Sequence, residues 1–199
     1  MVKIKICGLK RLEDINIVNK YKPDYIGFVF ADSKRKVSHE LASELKKNLE
    51  SDIISVGVFV DASQNEILEL FNNGIIDVAQ LHGCEDEEYI LSLKDKTNNK
   101  LGIINAIEMS RGIDLNEYAN TQADYLLLDS GKGSGKTFDW RLIRKDLDKE
   151  FFLAGGLDIS NICQAIEEFK PYAVDLSSSL ETDGYKDENK IREIMEVIR

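Results

Sequence analysis

The chain alternates short, nearly continuous apolar runs with longer amphipathic stretches. Most apolar runs lack strict alternation, which is typical of parallel strands that are buried on both faces. Eight runs predict strands, over 2–7, 25–30, 53–60, 77–82, 101–108, 124–129, 150–155 and 173–177. The stretches between them place apolar residues at helical spacing and predict helices over 13–21, 38–49, 65–73, 86–95, 114–121, 159–169 and 188–199.

This strand–helix order predicts an α/β fold. Eight even repeats favour a small (β/α)8 TIM barrel of eight parallel strands, with residues 1–199 forming a single catalytic domain. A doubly wound open sheet is the alternative, but the repeats leave no additional domain. The weakest helix prediction follows the sixth strand, where residues 138–148 form a short and weakly periodic stretch.

Composition narrows the classes of partner and site. The formal net charge of −10 argues against nucleic acid and anionic membrane as partners, although helix N-termini still permit a phosphorylated small molecule. The three cysteines form no CxxC motif, which indicates a reduced, cytoplasmic protein, and Cys84 and Cys163 are interpreted as packing residues. The two histidines lack metal-binding spacing, so we expect no metal site.

The segment LLLDSGKGSGKTFDW (126–140) is close to a P-loop. The Walker A pattern requires a glycine where this chain has Ser130, and no strongly periodic helix follows Thr137. A barrel loop that follows a strand ending at Asp129 therefore fits better. A non-catalytic nucleotide-binding module using GSGKT remains the alternative from another class.

Catalytic residues of such barrels lie at the C-terminal ends of the strands and in the loops that follow. The side chains that this rule brings to one rim are Cys7, Arg35, Gln80, His82, Asp129 and Asp175. Each also has a plainer interpretation: a lone cysteine is usually a small buried hydrophobe, Asp129 could complete a turn, and Arg35 could be a solvated charge.

The loops after the last two strands indicate a phosphate site. Many barrels bind phosphate through backbone N–H groups of these loops and a short helix N-terminus. The predicted phosphate-binding residues are Gly155, Gly156, Ser177 and Ser178, together with Gly133 in the loop after the sixth strand.

These residues lie in segments that resemble the phosphoribosylanthranilate isomerase family of tryptophan biosynthesis. The matching segments run through the whole chain: KICGL (5–9), GFVFADSKRKVS (27–38), VGVFVD (56–61), QLHG (80–83), LLLDSGKGSGKTFDW (126–140), FFLAGGL (151–157) and AVDLSSSLE (173–181). The resemblance implies a cofactor-free aldose–ketose isomerase that performs an Amadori rearrangement. It implies that Cys7 is the general base, Asp129 the general acid and Arg35 the group that holds the anthranilate carboxylate.

Two departures from the family pattern affect the expected site. The chain has SKR where the family usually has SPR before the arginine, and Ser179 where the family has glycine. If Ser179 had to adopt the glycine conformation, strain or a shifted phosphate loop would follow. We also expect Asp129 to start protonated and Cys7 to start as a thiolate, with nearby cations or backbone donors lowering the pKa of Cys7.

Other phosphosugar barrels are the second enzymatic interpretation. An indole-glycerol-phosphate synthase would need a lysine at a strand end, and a pentose-phosphate epimerase would need metal-binding histidines; the sequence predicts neither. The expected assembly is a monomer or a homodimer.

Overall fold

The computed structural model describes residues 1–109, 113–130, 140–143 and 147–199. Eight parallel strands form a closed barrel in which each strand pairs with the next along the chain and the last pairs with the first. The strands are β1 (Lys3–Cys7), β2 (Tyr25–Val29), β3 (Ile54–Phe59), β4 (Val78–Leu81), β5 (Gly102–Glu108), β6 (Tyr125–Asp129), β7 (Phe151–Leu153) and β8 (Ala173–Leu176). The predicted barrel and all eight predicted strands are confirmed.

The α-helices of the described ranges follow six of these strands. They are α1 (Leu12–Tyr21), α2 (His39–Lys47), α3 (Gln64–Asn72), α4 (Glu87–Lys96), α5 (Ile162–Phe169) and α6 (Glu188–Ile198). Several begin where a short polar side chain accepts a hydrogen bond from the first turn, as Ser38 does from the Leu41 N–H before α2. This capping explains why the sequence pattern located their starts well.

Short 3₁₀ helices follow β5 and β6 instead, at Leu115–Tyr118 and Trp140–Leu142. The α-helix predicted over 114–121 is therefore wrong. Leu115 is the one buried residue of its 3₁₀ helix, so the segment lacks the apolar stripe that stabilises a longer helix in a protein. The glycine-rich residues 131–137, including the predicted phosphate ligand Gly133, lie outside the described residues.

Aromatic side chains fill the N-terminal end of the barrel. The hydroxyl groups of Tyr25 and Tyr172 lie 2.9 Å apart. The Tyr125 ring stacks on Tyr172, and the Phe152 ring packs edge-on against Tyr25. This packed end leaves the polar, inward-facing residues at the opposite end of the barrel, where the strands end.

A small hairpin separates β8 from α6. A 3₁₀ helix at Ser178–Leu180 leads into β9 (Glu181–Thr182), which pairs antiparallel with β10 (Tyr185–Lys186). The two residues of the turn, Asp183 and Gly184, have φ of 53° and 78°, as a tight hairpin turn requires. Within the described ranges, no helix combines the length and apolar character needed to cross a membrane.

Candidate active site

Cys7 is the last residue of β1 and its side chain faces the mouth of the barrel, where it packs with Val29 and Val58. The residue is only 8% exposed. Gly27 on the neighbouring strand makes room for the thiol, because a Cβ at that position would lie 2.7 Å from Sγ of Cys7. The structure thus confines the thiol to one place at the rim.

Burial raises the pKa of the Cys7 thiol, and Asp175 adds to this effect, while Lys5 and Lys186 act in the opposite direction. The loss of hydration outweighs the two cations because the thiol lies in an apolar environment. The expectation that Cys7 starts as a thiolate is therefore wrong for the chain without substrate. The cations are present, as expected, but they do not decide the direction.

Lys5 lies two residues before Cys7 on the same inward face of β1 and has no exposed surface. Its Nζ donates hydrogen bonds to Oε1 of Gln80 at 2.8 Å and to Oδ2 of Asp175 at 2.7 Å. Burial opposes the charge, but Asp175 and Cys7 outweigh it and raise the pKa of Lys5. A charged ammonium group is therefore held inside the barrel.

Asp175 brings the other half of this buried pair from β8. Its Oδ2 accepts the hydrogen bond from Lys5, whereas its buried Oδ1 has no hydrogen-bond partner in the part of the chain that the structure describes. Burial raises the pKa of Asp175, and Lys5 opposes that rise. A buried acceptor without a partner at a barrel mouth is suited to receive a hydrogen bond from a ligand.

Asp129 ends β6 and is 8% exposed. Its Oδ2 lies 3.6 Å from Nε2 of His82, which follows β4, so these two predicted site residues are neighbours. The backbone O of Asp129 accepts a hydrogen bond of 2.7 Å from the Met109 N–H, which fixes the end of the strand. Asp129 is thus held with its carboxyl group beside the imidazole.

Arg35 lies in the loop after β2, and it is not the solvated charge of the plainer interpretation. Its side chain is 11% exposed, and Nε and Nη2 donate to Oε1 and Oε2 of Glu181 at 2.6 and 2.9 Å. Its stem passes over Gly8, which has a φ of 88° and where a Cβ would collide with Cδ of Arg35. Gly8 therefore permits the approach of Arg35 to the barrel mouth.

The predicted phosphate loops carry backbone N–H donors that have no acceptor among the described residues. Gly155 and Gly156 have φ of 83° and 66°, and no residue in the described ranges accepts a hydrogen bond from their N–H groups or from that of Ser178. Oγ of Ser177 donates to the backbone O of Cys7 at 3.1 Å, which ties this loop to β1. Free N–H groups at converging loops are the donors that bind anions.

Ser179 does not have the backbone conformation that would strain it. It lies within the 3₁₀ helix and is not among the described residues with positive φ. Its Oγ is buried and has no hydrogen-bond partner within the described ranges. The substitution of glycine by serine is thus accommodated in the backbone.

The profile of the family described as N-(5'-phosphoribosyl)anthranilate (PRA) isomerase matches residues 4–197 of the chain. The chain belongs to this family. A PRA isomerase from Endomicrobium trichonymphae is 47% identical over 204 residues, with 100% of this chain and 99% of the relative covered.

Solved PRA isomerases share the fold. One, in complex with reduced 1-(o-carboxyphenylamino)-1-deoxyribulose 5-phosphate, is 34% identical with a TM-score of 0.84, covering 98% of this chain and 97% of that chain. Another, of monomers generated from the dimeric enzyme of Thermotoga maritima, is 33% identical with a TM-score of 0.86 and the same coverage of 98% and 97%.

Sequence reasoning missed two charged residues of this PRA isomerase family member. Lys5 was recognisable, because strand alternation places it on the face of Cys7, but buried lysines are rare and the sequence predicted no lysine in the site. Glu181 gave no local signal, since its partner Arg35 is 146 positions away.

The interpretation of Cys84 and Cys163 as packing residues is wrong, because both are exposed.

Proposed function

We propose that the chain converts N-(5-phosphoribosyl)anthranilate into 1-(2-carboxyphenylamino)-1-deoxyribulose 5-phosphate. The observation that carries this proposal is that Cys7, Asp129 and Asp175 lie at or near the C-terminal ends of strands of one closed barrel, in a chain of this family. Oδ1 of Asp175 has no hydrogen-bond partner among the described residues. The N–H groups of the loops after β7 and β8, which have no acceptor among the described residues, and Arg35 are the proposed positions for the two anionic ends of such a substrate.

The first step is the opening of the furanose ring. Asp129 delivers a proton to the ring oxygen, the bond from that oxygen to C1 breaks, and the electron pair of the anilino nitrogen forms the Schiff base. The imidazole of His82 lies beside the carboxyl group, with Nε2 3.6 Å from Oδ2 of Asp129. Asp129 then carries the negative charge, which the neighbouring imidazole stabilises when it is protonated.

The second step is the transfer of the proton from C2. The Schiff base acidifies this proton, and the thiolate of Cys7 removes it to leave an enolamine, which becomes the ketone on tautomerisation. The thiol must first lose its own proton. The charged Lys5 favours the thiolate, while burial disfavours it, so the base form is the minor species at neutral pH.

Asp175 and Gln80, two of the predicted substrate-binding residues, have different proposed roles. We propose that Oδ1 of Asp175 accepts a hydrogen bond from the substrate, since it is the oxygen that Lys5 leaves free. Gln80 is 3% exposed and its Oε1 accepts from Lys5, so its main role is to hold the ammonium group in place.

The phosphate is proposed to bind the N–H groups of Gly155, Gly156 and Ser178 beside Ser177, and the anthranilate carboxylate to bind Arg35. Together with these contacts, we propose one catalytic domain over 1–199, a cytoplasmic location and a monomer or homodimer. The three free cysteines support a reducing compartment, and the dimeric relative supports the second assembly.

The deciding experiment follows the fluorescence of phosphoribosylanthranilate after addition of purified protein. We expect enzyme-dependent loss of substrate and formation of the ketose product. Absence of turnover, combined with binding of ATP or GTP at micromolar concentrations, would instead support the nucleotide-binding alternative. Turnover of other pentose phosphates alone would support another phosphosugar barrel.

A further inference from the structure

Glu181 occupies one complete edge of the Arg35 guanidinium. The Nε–Nη2 edge is engaged by both carboxylate oxygens of Glu181, at 2.6 and 2.9 Å, and the Glu181 side chain is 6% exposed. Nη1 has no hydrogen-bond partner among the described residues. The donors left for a ligand are therefore those of Nη1 and the second hydrogen of Nη2.

Lys186 shares the same carboxylate. Its Nζ lies 3.0 Å from Oε1 of Glu181 and donates to the backbone O of Ser177 at 3.0 Å, and its side chain is 1% exposed. Because one carboxylate serves two cations, it does not fully neutralise Arg35. A second anion can thus still be attracted to the free edge of the guanidinium.

The hairpin that carries Glu181 and Lys186 is also anchored to the loop after β1. The ring of Tyr185 lies 4.6 Å from Nζ of Lys10 and 4.1 Å from Cζ of Arg11, both in the loop after β1. The antiparallel pairing of β9 with β10 places Glu181 opposite Lys186. This arrangement fixes the carboxylate before any substrate arrives.

We propose that Glu181 is a positioning residue that holds Arg35 so that its free Nη1–Nη2 edge faces the carboxylate of the substrate. The inference rests on the proposed function, in which Arg35 binds that carboxylate. A long arginine side chain loses conformational freedom when it binds a ligand, and an arginine that is already held loses less. Glu181 thus sets the selectivity for a substrate with a carboxylate, without itself contacting the substrate.

The test compares two ligands and a set of variants. The ligands are reduced 1-(o-carboxyphenylamino)-1-deoxyribulose 5-phosphate and its phenylamino analogue without the carboxylate. The variants are Glu181→Gln, Glu181→Asp, Arg35→Ala and the double variant Arg35→Ala/Glu181→Gln. Glu188→Gln is the matched control. Glu188 lies at the start of α6, and its exposed carboxylate pairs with Lys20 of α1.

In the wild type, we expect tighter binding of the carboxylate ligand. Glu181→Gln should weaken the binding of the carboxylate ligand about tenfold, the scale of one charge-assisted hydrogen bond. The affinity for the phenylamino ligand should not change. KM should rise by a similar factor while kcat changes less. In the Arg35→Ala background, Glu181→Gln should have no further effect, and Glu188→Gln should match the wild type.

A folded Glu181→Gln variant with undiminished preference for the carboxylate ligand would overturn the inference and leave the proposed function intact. Equal weakening of both ligands, or a further loss in the Arg35→Ala background, would assign Glu181 a merely structural role. A wild type without preference would overturn the carboxylate site as well. If Glu181→Gln does not fold, Glu181→Asp keeps the charge, shortens the reach and should show the same loss of preference.

Discussion

The ammonium group of Lys5 lies 2.7 Å from Oδ2 of Asp175 inside the barrel, on the face of β1 that also carries Cys7. Neither charge would be stable there alone, because an unpaired buried ion loses its hydration without compensation. The pair places a fixed cation beneath the proposed base and leaves one oxygen of Asp175 for the substrate. It therefore links the stability of the barrel interior to the reactivity of the thiol.

The first prediction concerns the pH dependence of turnover. Burial raises the pKa of Cys7, so the thiol stays protonated below that pKa and the base form appears only above it. We expect kcat/KM to rise with pH into the alkaline range. Lys5→Met removes a cation that lowers the pKa of Cys7, so the rise of kcat/KM, the alkaline limb of the profile, should move to still higher pH.

The control for this variant is Lys3→Met, which removes an exposed lysine of the same strand that pairs with Asp24. Its pH profile should match that of the wild type. Iodoacetamide inactivation, followed in a Cys84→Ser/Cys163→Ser background, should show the same shift for Lys5→Met. A limb at unchanged pH in a folded Lys5→Met variant would show that Lys5 does not act on the thiol.

The second prediction concerns the acid and the base themselves. Cys7→Ala and Asp129→Asn should each lower kcat by at least ~100-fold, the usual scale for a lost general acid or base. Binding of the reduced product and thermal stability should change little. Cys163→Ala, at an exposed position of α5, is the control and should keep full activity. Near-normal turnover by folded Cys7→Ala would place the base elsewhere.

The third prediction concerns Gly27, which confines the thiol. A Cβ there would lie 2.7 Å from Sγ of Cys7, so Gly27→Ala must displace the sulfur from its position at the mouth. Misplacement by about 1 Å can cost about 100-fold in rate, and we expect a loss of kcat on this order. Gly102→Ala is the control, since its Cβ would meet a methyl group of Val78 at 3.0 Å near the N-terminal end of the barrel. It should affect thermal stability more than kcat.

The sequence predicted the barrel because the signals are local. Each strand is an apolar run, and α-helices follow six of the strands, several of them starting at a capping side chain. It predicted the positions of Cys7 and Asp129 because closure brings the strand ends together. It could not predict the direction of the Cys7 pKa, which depends on the balance between lost hydration and two cations, Lys5 on the same strand and Lys186 on the distant hairpin. The sequence did not predict the ion pair of Arg35 and Glu181 either, because the hairpin after β8 brings Glu181 to Arg35.

The fourth prediction concerns phosphate. Gly156 has a φ of 66°, and Gly74, after α3, has a φ of 67° with no atom near its missing Cβ. Alanine at either position should therefore carry a similar backbone penalty, of roughly 1 kcal/mol. Only Gly156→Ala should also weaken the binding of substrate and reduce the competitive inhibition by inorganic phosphate or sulfate. Lys136→Ala should weaken both less than Gly156→Ala does; a larger loss for Lys136→Ala would move the phosphate site to the GKT segment.

The last prediction concerns acid stability and the carboxylate that holds Arg35. Burial opposes the Glu181 charge, but the hydrogen bonds from Arg35 and Lys186 outweigh it and lower the pKa of Glu181 to about 2, from an ordinary value of 4.5. A lowered pKa in the folded state contributes stability above the unfolded pKa, and this contribution is lost as the pH falls from 4.5 toward 2.

The shift corresponds to at most about 3 kcal/mol at neutral pH. In urea titrations, Glu181→Gln should be less stable than the wild type at pH 7, and the difference should shrink between roughly pH 4.5 and pH 3, because the wild-type carboxylate then binds a proton more readily in the unfolded chain than in the folded one. Glu188→Gln, which removes the exposed carboxylate, should show a much smaller difference at every pH. A gap between Glu181→Gln and the wild type that stays constant down to pH 3 would show that packing, rather than the charge of Glu181, stabilises the hairpin against Arg35.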